Sequence, residues 1–288
     1  MQNTGDMMAR LNHSGRRLSK SHRRIADYIT AHYDKAVFMT AARLGESVGV
    51  SESTVVRFAS ALGYDGYPQM QRSLQELVSH RLTANQRFEM TSDLDPASVL
   101  STVLKSDMQN LHNTLEELDP ALFEDAVSRL LSARSVCVVG RRSAAPLARF
   151  LANYLHYMFD HVRLLGGDED GLEEIVQLRS EDVLIGISFP RYSARTLEMM
   201  RFARHCGAQV IAITDGPMSP LCETADVTLT ARTDMASFVD SLAAPLSLIN
   251  ALLVSLGLRR REALGGHLRQ LESVWETYRV YLEEDRHV

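Results

Sequence analysis

Cysteine is scarce in this chain. The 288 residues include three, Cys137, Cys206 and Cys222, which lie far apart with no CxxC or Cys/His ligand spacing. This argues against a disulfide framework or a zinc site and favours buried thiols in a reducing compartment. Apolar runs of the roughly 18–20 residues that span a bilayer are also missing. The first seventeen residues lack the apolar segment of a signal peptide. We therefore expect a cytoplasmic protein that needs no membrane, metal ion or cofactor.

A strong overall positive charge is missing as well, since the net charge is −5. The charge is unevenly distributed: residues 1–80 contain ten basic and seven acidic residues, which leaves a net −8 for the remainder. Five of the basic residues lie between Arg16 and Arg24. Contacts to phosphate need such local positive charge whatever the total. The N-terminal part could therefore face a polyanion, and a solvated basic helix face is the alternative.

Residues 41–60 have the pattern of a helix-turn-helix. Such a motif needs apolar residues between its helices, a small residue where they approach, and usually a glycine in the turn. Gly45 is the small residue and Gly49 the turn. The apolar set is Leu44, Val48, Val50, Val55 and Phe58. The pattern predicts DNA binding, with a purely structural helical hairpin as the alternative.

The second helix of this motif enters the major groove of DNA, where its N-terminal residues meet base edges. We expect Ser51 to cap that helix and Arg57 to reach a guanine or a phosphate. Glu52 could accept a hydrogen bond from a cytosine amine or remain solvated. The predicted contact residues in this helix are Ser51, Glu52, Ser53, Thr54 and Arg57.

Residues 18–80 resemble the N-terminal domain of the RpiR/MurR family of regulators. The resemblance is carried by Leu18-Ser-Lys20, Arg24–Ile29, and the run SxxTVVRF followed by LGYxGYP over residues 51–68. It implies that residues 62–67 lie on the DNA side, where Tyr64 and Tyr67 touch phosphates or pack the turn. Lys20, Tyr64 and Tyr67 thus join the candidate DNA contacts. Gly45 stands where the family usually has Ala.

Other helices are predicted from apolar spacing and capping residues. Ser21 is the expected cap of a helix over 22–33. Further helices are predicted over 67–81, 96–117 and 120–133. The polar stretch over 82–95, which ends in Asp-Pro, is predicted to be a linker.

Short apolar strands alternate with helices from residue 134 onward, which predicts a doubly wound parallel sheet. The predicted strands cover 135–139, 161–165, 182–188, 209–214 and 227–230, and the helices between them 146–159 and 193–205. Two last helices are predicted over 238–258, with a kink at Pro245, and over 262–283. The latter has an apolar stripe that could pack on its own domain or on a second subunit.

The chain is thus predicted to contain an all-α helix-turn-helix domain at 1–81, a linker at 82–95 and an α/β domain at 96–288. The sheet core of the latter covers about 134–232. Because helix-turn-helix proteins usually bind paired half-sites, we expect a homodimer or homotetramer on a double-stranded DNA operator.

Polar residues follow three of the predicted strands, at 140–143, 188–193 and 214–219. Ligands of such sheets bind beyond the carboxyl ends of the strands. Hydroxyls and amides at a helix N-terminus bind anions, and arginines add charge-assisted hydrogen bonds. Ordinary strand-to-helix turns are the alternative. The candidate effector-binding residues are Arg141, Arg142, Ser143, Ser188, Arg191, Tyr192, Ser193 and Thr214.

Residues 134–232 resemble the SIS (sugar isomerase) domain, through Asp182–Ser188, Gly207–Asp215, Ser219-Pro-Leu and Ala225-Asp226. The resemblance implies a phosphosugar site. Two loops depart from the family pattern, however. The turn usually written Ser-x-Ser-Gly-x-Thr is Ser-Phe-Pro-Arg-Tyr-Ser over 188–193, and Gly-x-Gly-x-Ser is Gly-Arg-Arg-Ser-Ala over 140–144. A carboxylate ligand is therefore a rival to a phosphosugar.

Three functions are compatible with these patterns. The first is a DNA-binding regulator, not an enzyme and without catalytic residues, whose small anionic effector shifts operator affinity. The second is a phosphosugar isomerase with an accessory head, and the third is a dimerisation module without a ligand. An isomerase needs a positioned base. The sequence does not place any candidate base in the three loops. The candidates are Glu169, Asp170, Glu173, Glu174, His156 and His161.

Overall fold

The computed structural model describes residues 18–37, 39–78, 83–89, 95–166, 172–235 and 239–281. The chain divides into two compact units. The N-terminal unit extends to Leu100, and the C-terminal unit starts at Ser101 and includes the remainder apart from 236–239. Each unit has its own hydrophobic core.

Helices joined by turns form the described part of the N-terminal unit, which contains no strand among these residues. They are α1 (Lys20–Ala31), α2 (Tyr33–Ala36), α3 (Ala41–Val48), α4 (Glu52–Ala61), α5 (Tyr67–Val78) and α6 (Ala84–Glu89). Helix α6 lies within the segment predicted to be a linker. The core of the unit includes Ile25, Leu44, Val55 and Phe58, all fully buried.

The start of α1 differs from the prediction. Ser19, and not Ser21, is the cap, because its backbone is extended and its side chain accepts a hydrogen bond from the His22 amide at 3.2 Å. Ser21 lies inside the first turn of the helix, where its side chain cannot serve as the cap.

The turn between α3 and α4 has the two glycines where the motif requires them. Gly49 ends α3 in the left-handed conformation, with φ +72°. A Cβ on Gly45 would lie 2.8 Å from the Val50 carbonyl oxygen, so a side chain there would force the turn to move. The helix-turn-helix prediction is confirmed in its two helices and its turn.

Five parallel strands form the sheet of the C-terminal unit, in the order β2-β1-β3-β4-β5. The doubly wound α/β prediction is therefore confirmed. The strands are β1 (Ser135–Gly140), β2 (Val162–Leu165), β3 (Asp182–Ile187), β4 (Gln209–Thr214) and β5 (Val227–Thr230). The remaining helices are α7 (Val99–Glu117), α8 (Pro120–Ser132), α9 (Ala145–Leu155), α10 (Leu172–Ile175), α11 (Ala194–His205), α12 (Ala243–Arg259) and α13 (Arg261–Thr277).

Helices cover both faces of the sheet. Helices α8, α9 and α12 pack on the face that contains Val138 and Ile185, whereas α11 packs on the face that contains Val139 and Leu184. Gly186 lets α11 approach closely, because a Cβ there would clash with the Met200 sulfur.

The last two helices differ from the prediction. Helix α12 starts at Ala243 rather than at 238, which places Pro245 in its first turn. Proline is tolerated there because the first amides of a helix have no intrahelical acceptor, so no kink results. Helix α13 ends at Thr277 and has no buried residue.

A buried carboxylate ties the amino end of β3 to the preceding segments. Asp182, which is 0% exposed, accepts hydrogen bonds from the Arg134 guanidinium at 2.9 and 2.5 Å, the Ser135 hydroxyl at 2.8 Å and the Arg179 amide at 2.8 Å. Burial alone would raise its pKa, but these donors lower the pKa from 3.8 to about 2.

Replacing this carboxylate should destabilise the C-terminal unit. We expect Asp182→Asn to lower the free energy of unfolding by about 2 kcal/mol at neutral pH. This is less than the full pKa shift of Asp182 corresponds to, because Arg134 is half-exposed and solvent screens its charge. The folded-state pKa is depressed, so the contribution is complete above about pH 4 and is lost as the pH falls toward 2. The difference between the proteins should therefore narrow below about pH 4. Urea denaturation followed by the fluorescence of Trp275, the single tryptophan, measures it.

Glu181→Gln is the matched control, since Glu181 is the adjacent acidic residue but is exposed. It should change the free energy of unfolding by less than about 0.5 kcal/mol. Equal effects of the two substitutions would contradict a specific role of Asp182.

Candidate functional site

The first turn of α4 faces solvent. Ser51, Glu52 and Ser53 are exposed, whereas Val55 and Phe58 anchor the opposite face in the core. The predicted base-reading residues therefore share an accessible surface, as a recognition helix requires.

Ser51 occupies the cap position of α4 but does not cap it with its side chain. Its hydroxyl is hydrogen-bonded to the hydroxyls of Ser53, at 2.9 Å, and Thr54, at 2.8 Å. The expected side-chain cap is thus replaced by a cluster of three hydroxyls at the N-terminus of the helix. Arg57, also exposed, donates from Nε to the Ser53 carbonyl at 3.2 Å, which keeps its stem along the helix.

Arg24, from the basic segment, has a local structural contact that the sequence did not reveal. Its guanidinium donates to the Val48 carbonyl at the end of α3, next to Gly49. This interaction connects α1 to the turn of the motif. Lys20, at the start of α1, is exposed.

The two candidate tyrosines are both engaged within the N-terminal unit. Tyr67 is buried and donates its hydroxyl to the Met39 carbonyl at 2.5 Å, and burial raises its pKa to about 12. The Tyr64 hydroxyl donates to Ser73 at 3.1 Å. These contacts are the ones expected if the two tyrosines pack the turn and do not touch phosphates.

In the C-terminal unit, strand register aligns the three candidate loops at the carboxyl edge of the sheet. Gly140, at the end of β1, lies opposite Ile187 of β3, which in turn lies opposite Ile213 of β4. The chain beyond β1 and the chain beyond β3 turn to opposite faces, so the position between these strands is the switch point of the sheet, where doubly wound sheets bind ligands.

Hydrogen bonds connect the second loop to the third. The buried Thr214 hydroxyl lies 2.8 Å from the Ser188 carbonyl and 2.7 Å from the Ser219 hydroxyl. The Ser188 hydroxyl accepts from the Ser193 amide at 2.9 Å, which closes the second loop on itself. Ser188 and Thr214 thus hold the loops together.

Tyr192 and Asp215 form a second connection, with the Tyr192 hydroxyl 3.0 and 3.2 Å from the two carboxylate oxygens. Burial raises the pKa of both groups, and the negative charge of Asp215 raises that of Tyr192 further. The phenol therefore stays protonated and donates to Asp215. The positive charge of Arg232 lowers the pKa of Asp215 in part. The sequence analysis selected Tyr192 and included Asp215 among the polar residues that follow β4, but not among the candidate effector contacts. Arg232 was not predicted.

Ser193 caps α11 by accepting from the Thr196 amide at 3.2 Å. The Thr196 hydroxyl is fully buried and has no hydrogen-bond partner among the described residues. Arg191 is exposed in the loop before this helix. The second loop therefore presents a cation beside a helix N-terminus.

The first loop presents two further arginines. The Nε atom of Arg141 is buried and has no hydrogen-bond partner among the described residues. Arg142 is exposed and has a φ of +57°, and the neighbouring Ser143 is also exposed. An anion at this edge could satisfy the Arg141 donor, whose burial without a partner is costly.

The described candidate bases of an isomerase lie outside the three loops at the carboxyl edge of the sheet. His156 Nδ1 lies 2.7 Å from the Ala152 carbonyl of its own helix, and His161 is exposed. Glu173 and Glu174 are exposed on α10, whereas Glu169 and Asp170 lie outside the described residues. In the described ranges, no group of three or more His, Cys, Asp or Glu could hold a metal ion, and no helix is long and apolar enough to cross a membrane.

Two family models match the chain. The helix-turn-helix domain of the rpiR family matches residues 5–81, and the SIS domain matches residues 129–255. They follow one another in the order of the two units and together account for most of the chain.

Relatives match along nearly the whole length. The transcriptional regulator HexR of Pseudomonas aeruginosa is 26% identical, over 93% of this chain and 95% of its own. HexR of Escherichia coli is 25% identical, over 98% of this chain and 100% of its own.

Two solved structures have a similar fold. The sugar isomerase domain of an RpiR transcription factor from Sphaerobacter thermophilus has a TM-score of 0.59 at 29% identity, over 61% of this chain and 99% of that one. Vibrio vulnificus NanR complexed with ManNAc-6P has a TM-score of 0.57 at 20% identity, over 95% of this chain and 98% of that one, and shows the fold.

The paired domains and the full-length relatives, all named as regulators rather than isomerases, lead to one assignment: the chain belongs to the RpiR family of helix-turn-helix transcriptional regulators with a SIS domain.

Proposed function

We propose that this regulator reads an operator through the first turn of α4 and senses a small anionic metabolite at the carboxyl edge of its sheet. The observation that carries the sensing half is the convergence of Arg141 and Arg191 with the N-terminus of α11 on that edge. Under this proposal residues 1–81 form the head, 82–95 the linker and 96–288 the effector domain. The protein acts in the cytoplasm as a homodimer or homotetramer.

Base reading is assigned to Ser51, Glu52, Ser53, Thr54 and Arg57. The exposed hydroxyl cluster offers short donors and acceptors, and Arg57 offers the fork that pairs with guanine. Lys20 adds positive charge on α1, where it would contact phosphate and not bases. The occupied hydroxyls of Tyr64 and Tyr67 favour a supporting role for these two residues.

Loss of the Arg57 side chain should weaken specific binding. We expect Arg57→Ala to reduce affinity by about 10-fold or more for a DNA site selected from a random pool with the natural protein. Affinity for unrelated DNA at the same salt concentration should fall much less. Fluorescence anisotropy with both duplexes measures the two affinities.

Arg149→Ala is the matched control, because Arg149 is an exposed arginine on α9 of the other unit and its loss changes the net charge equally. It should leave both affinities unchanged. Undiminished affinity and selectivity of Arg57→Ala would remove Arg57 from the base contacts.

The effector class follows from the charges at the sheet edge. The buried Nε of Arg141 has no partner in the described part of the chain, Arg191 is exposed, and the α11 N-terminus favours negative charge. An anion of phosphate or carboxylate type fits these donors. Because the similar NanR structure is a complex with ManNAc-6P, sugar phosphates are the first class to test.

Two features keep carboxylates in competition with sugar phosphates. Pro190 replaces a residue that has a backbone donor in the family loop, and Arg191 adds a cation beside it. The Ser188 and Ser193 side chains already accept hydrogen bonds within the loop. Binding would then depend more on the arginines than on hydroxyls.

An anionic effector should stabilise the protein. In a thermal-shift screen of sugar phosphates, unphosphorylated sugars, small di- and tricarboxylates and inorganic phosphate, we expect one anionic class to raise the melting temperature by several degrees at saturation. Arg191→Ala should weaken that shift because it removes a cation from the site. Ser193→Ala should weaken it because it removes the cap that orients the α11 N-terminus.

Arg201→Ala, which removes an exposed arginine further along α11, should leave the shift intact. If no anion stabilises the natural protein, the C-terminal unit is a dimerisation module without a ligand, and the sensing half of the proposal is wrong.

A further inference from the structure

Helix α7 is attached to the C-terminal unit by its polar face. Asn110, which is fully buried, donates to the Asp234 carbonyl at 2.9 Å and accepts from the Asp234 amide at 3.1 Å. One turn later, the Thr114 hydroxyl accepts from the Arg232 amide at 2.9 Å. Glu117 pairs with the Arg232 guanidinium at 2.6 and 2.9 Å. These contacts fix both the position and the rotation of the helix.

The opposite face of α7 is apolar and faces solvent. Leu104, Met108, Leu111 and Leu115 are 53, 68, 38 and 80% exposed. Their spacing of four, three and four residues places them on one stripe of an α-helix. Helices of soluble proteins usually bury such a stripe and expose their polar face. In α7 the polar face is attached and the apolar stripe is left without a partner in the described part of the C-terminal unit.

We propose that this stripe is the self-association surface of the protein, on which α7 of a second copy packs antiparallel. The inference rests on the proposed homo-oligomer and identifies the surface that forms it. The spacing of four, three and four residues reads the same in both directions. A two-fold axis midway along the stripe therefore sets Leu104 against the partner's Leu115 and Met108 against the partner's Leu111, the self-complementary arrangement of a two-fold dimer.

Charge along one edge of the stripe favours the same arrangement. Lys105 is exposed near the start of this edge, and Glu116, paired with His112 at 3.3 Å, is exposed near its end. An antiparallel partner brings Lys105 of each copy near Glu116 of the other, whereas a parallel partner places this edge of the two copies on opposite sides of the interface and forms no such contact. The opposite-charge contacts therefore favour the antiparallel pair.

Substitution of the stripe should dissociate the oligomer. We expect Met108→Glu/Leu115→Glu to raise the dissociation constant for self-association by about 100-fold or more, because each dimer must then bury four carboxylates. The melting temperature extrapolated to low protein concentration should not fall, because both side chains are exposed in the single chain. Sedimentation equilibrium of the full chain over a range of concentrations measures the association.

Val254→Glu/Leu258→Glu is the matched control, since these α12 residues are 61 and 70% exposed. It should associate like the natural protein. The proposal is overturned if the natural protein is monomeric at every concentration, or if the α7 variant associates normally. It is also overturned if the α7 variant melts lower without a change in mass, since the chain itself would then cover the stripe.

A charge exchange tests the orientation. Lys105→Glu and Glu116→Lys should each weaken association by about threefold or more, and the double variant should restore it, because every opposite-charge pair re-forms. Failure of the double variant to restore association would reject the antiparallel pair. Normal association of the α7 variant would reject this surface and leave the proposed homo-oligomer intact, whereas a natural protein that is monomeric at every concentration would reject both. None of these measurements uses DNA or an effector, so operator reading and anion sensing are tested separately.

Discussion

Gly140, Ile187 and Ile213 lie side by side at the carboxyl edge of the sheet, in register through the backbone hydrogen bonds of three buried parallel strands. Every candidate effector residue lies within a few positions of this line. Because parallel strands present all their carboxyl ends at one edge, the register collects residues from three distant parts of the sequence. The hydrogen bonds of Thr214 and Tyr192 then connect two of the loops directly.

Arg232 connects this edge to the rest of the unit. Its charge acts on Asp215, its side chain pairs with Glu117, and its amide donates to Thr114 of α7. The same helix exposes the apolar stripe on its other side. Arg232 thus acts on the loop region through its charge and on α7 through its hydrogen bonds.

Much of the fold could be predicted because its determinants are local. The strands at 209–214 and 227–230 have the predicted bounds, and Asp119 with Pro120 starts α8 as expected. Gly45 and Gly49 identified the turn of the motif because close approach and positive φ each demand glycine. The predictions were wrong where the local sequence allows two solutions. Ser19 and Ser21 can each cap α1, and Pro245 is compatible both with the first turn of a helix and with a kink inside one.

By itself, then, the sequence determined the two domains, their order, the family and the choice of candidate site residues, since periodicity, capping and motif spacing are properties of short segments. Only the tertiary structure decided which polar groups are already occupied. It ties Arg24 to the end of α3, buries Tyr67 against Met39 and pairs Tyr192 with Asp215. It also decided which face of α7 points outward, because Asn110 and Thr114 find partners more than a hundred residues away. Such contacts depend on the packing of whole elements, which no local pattern encodes.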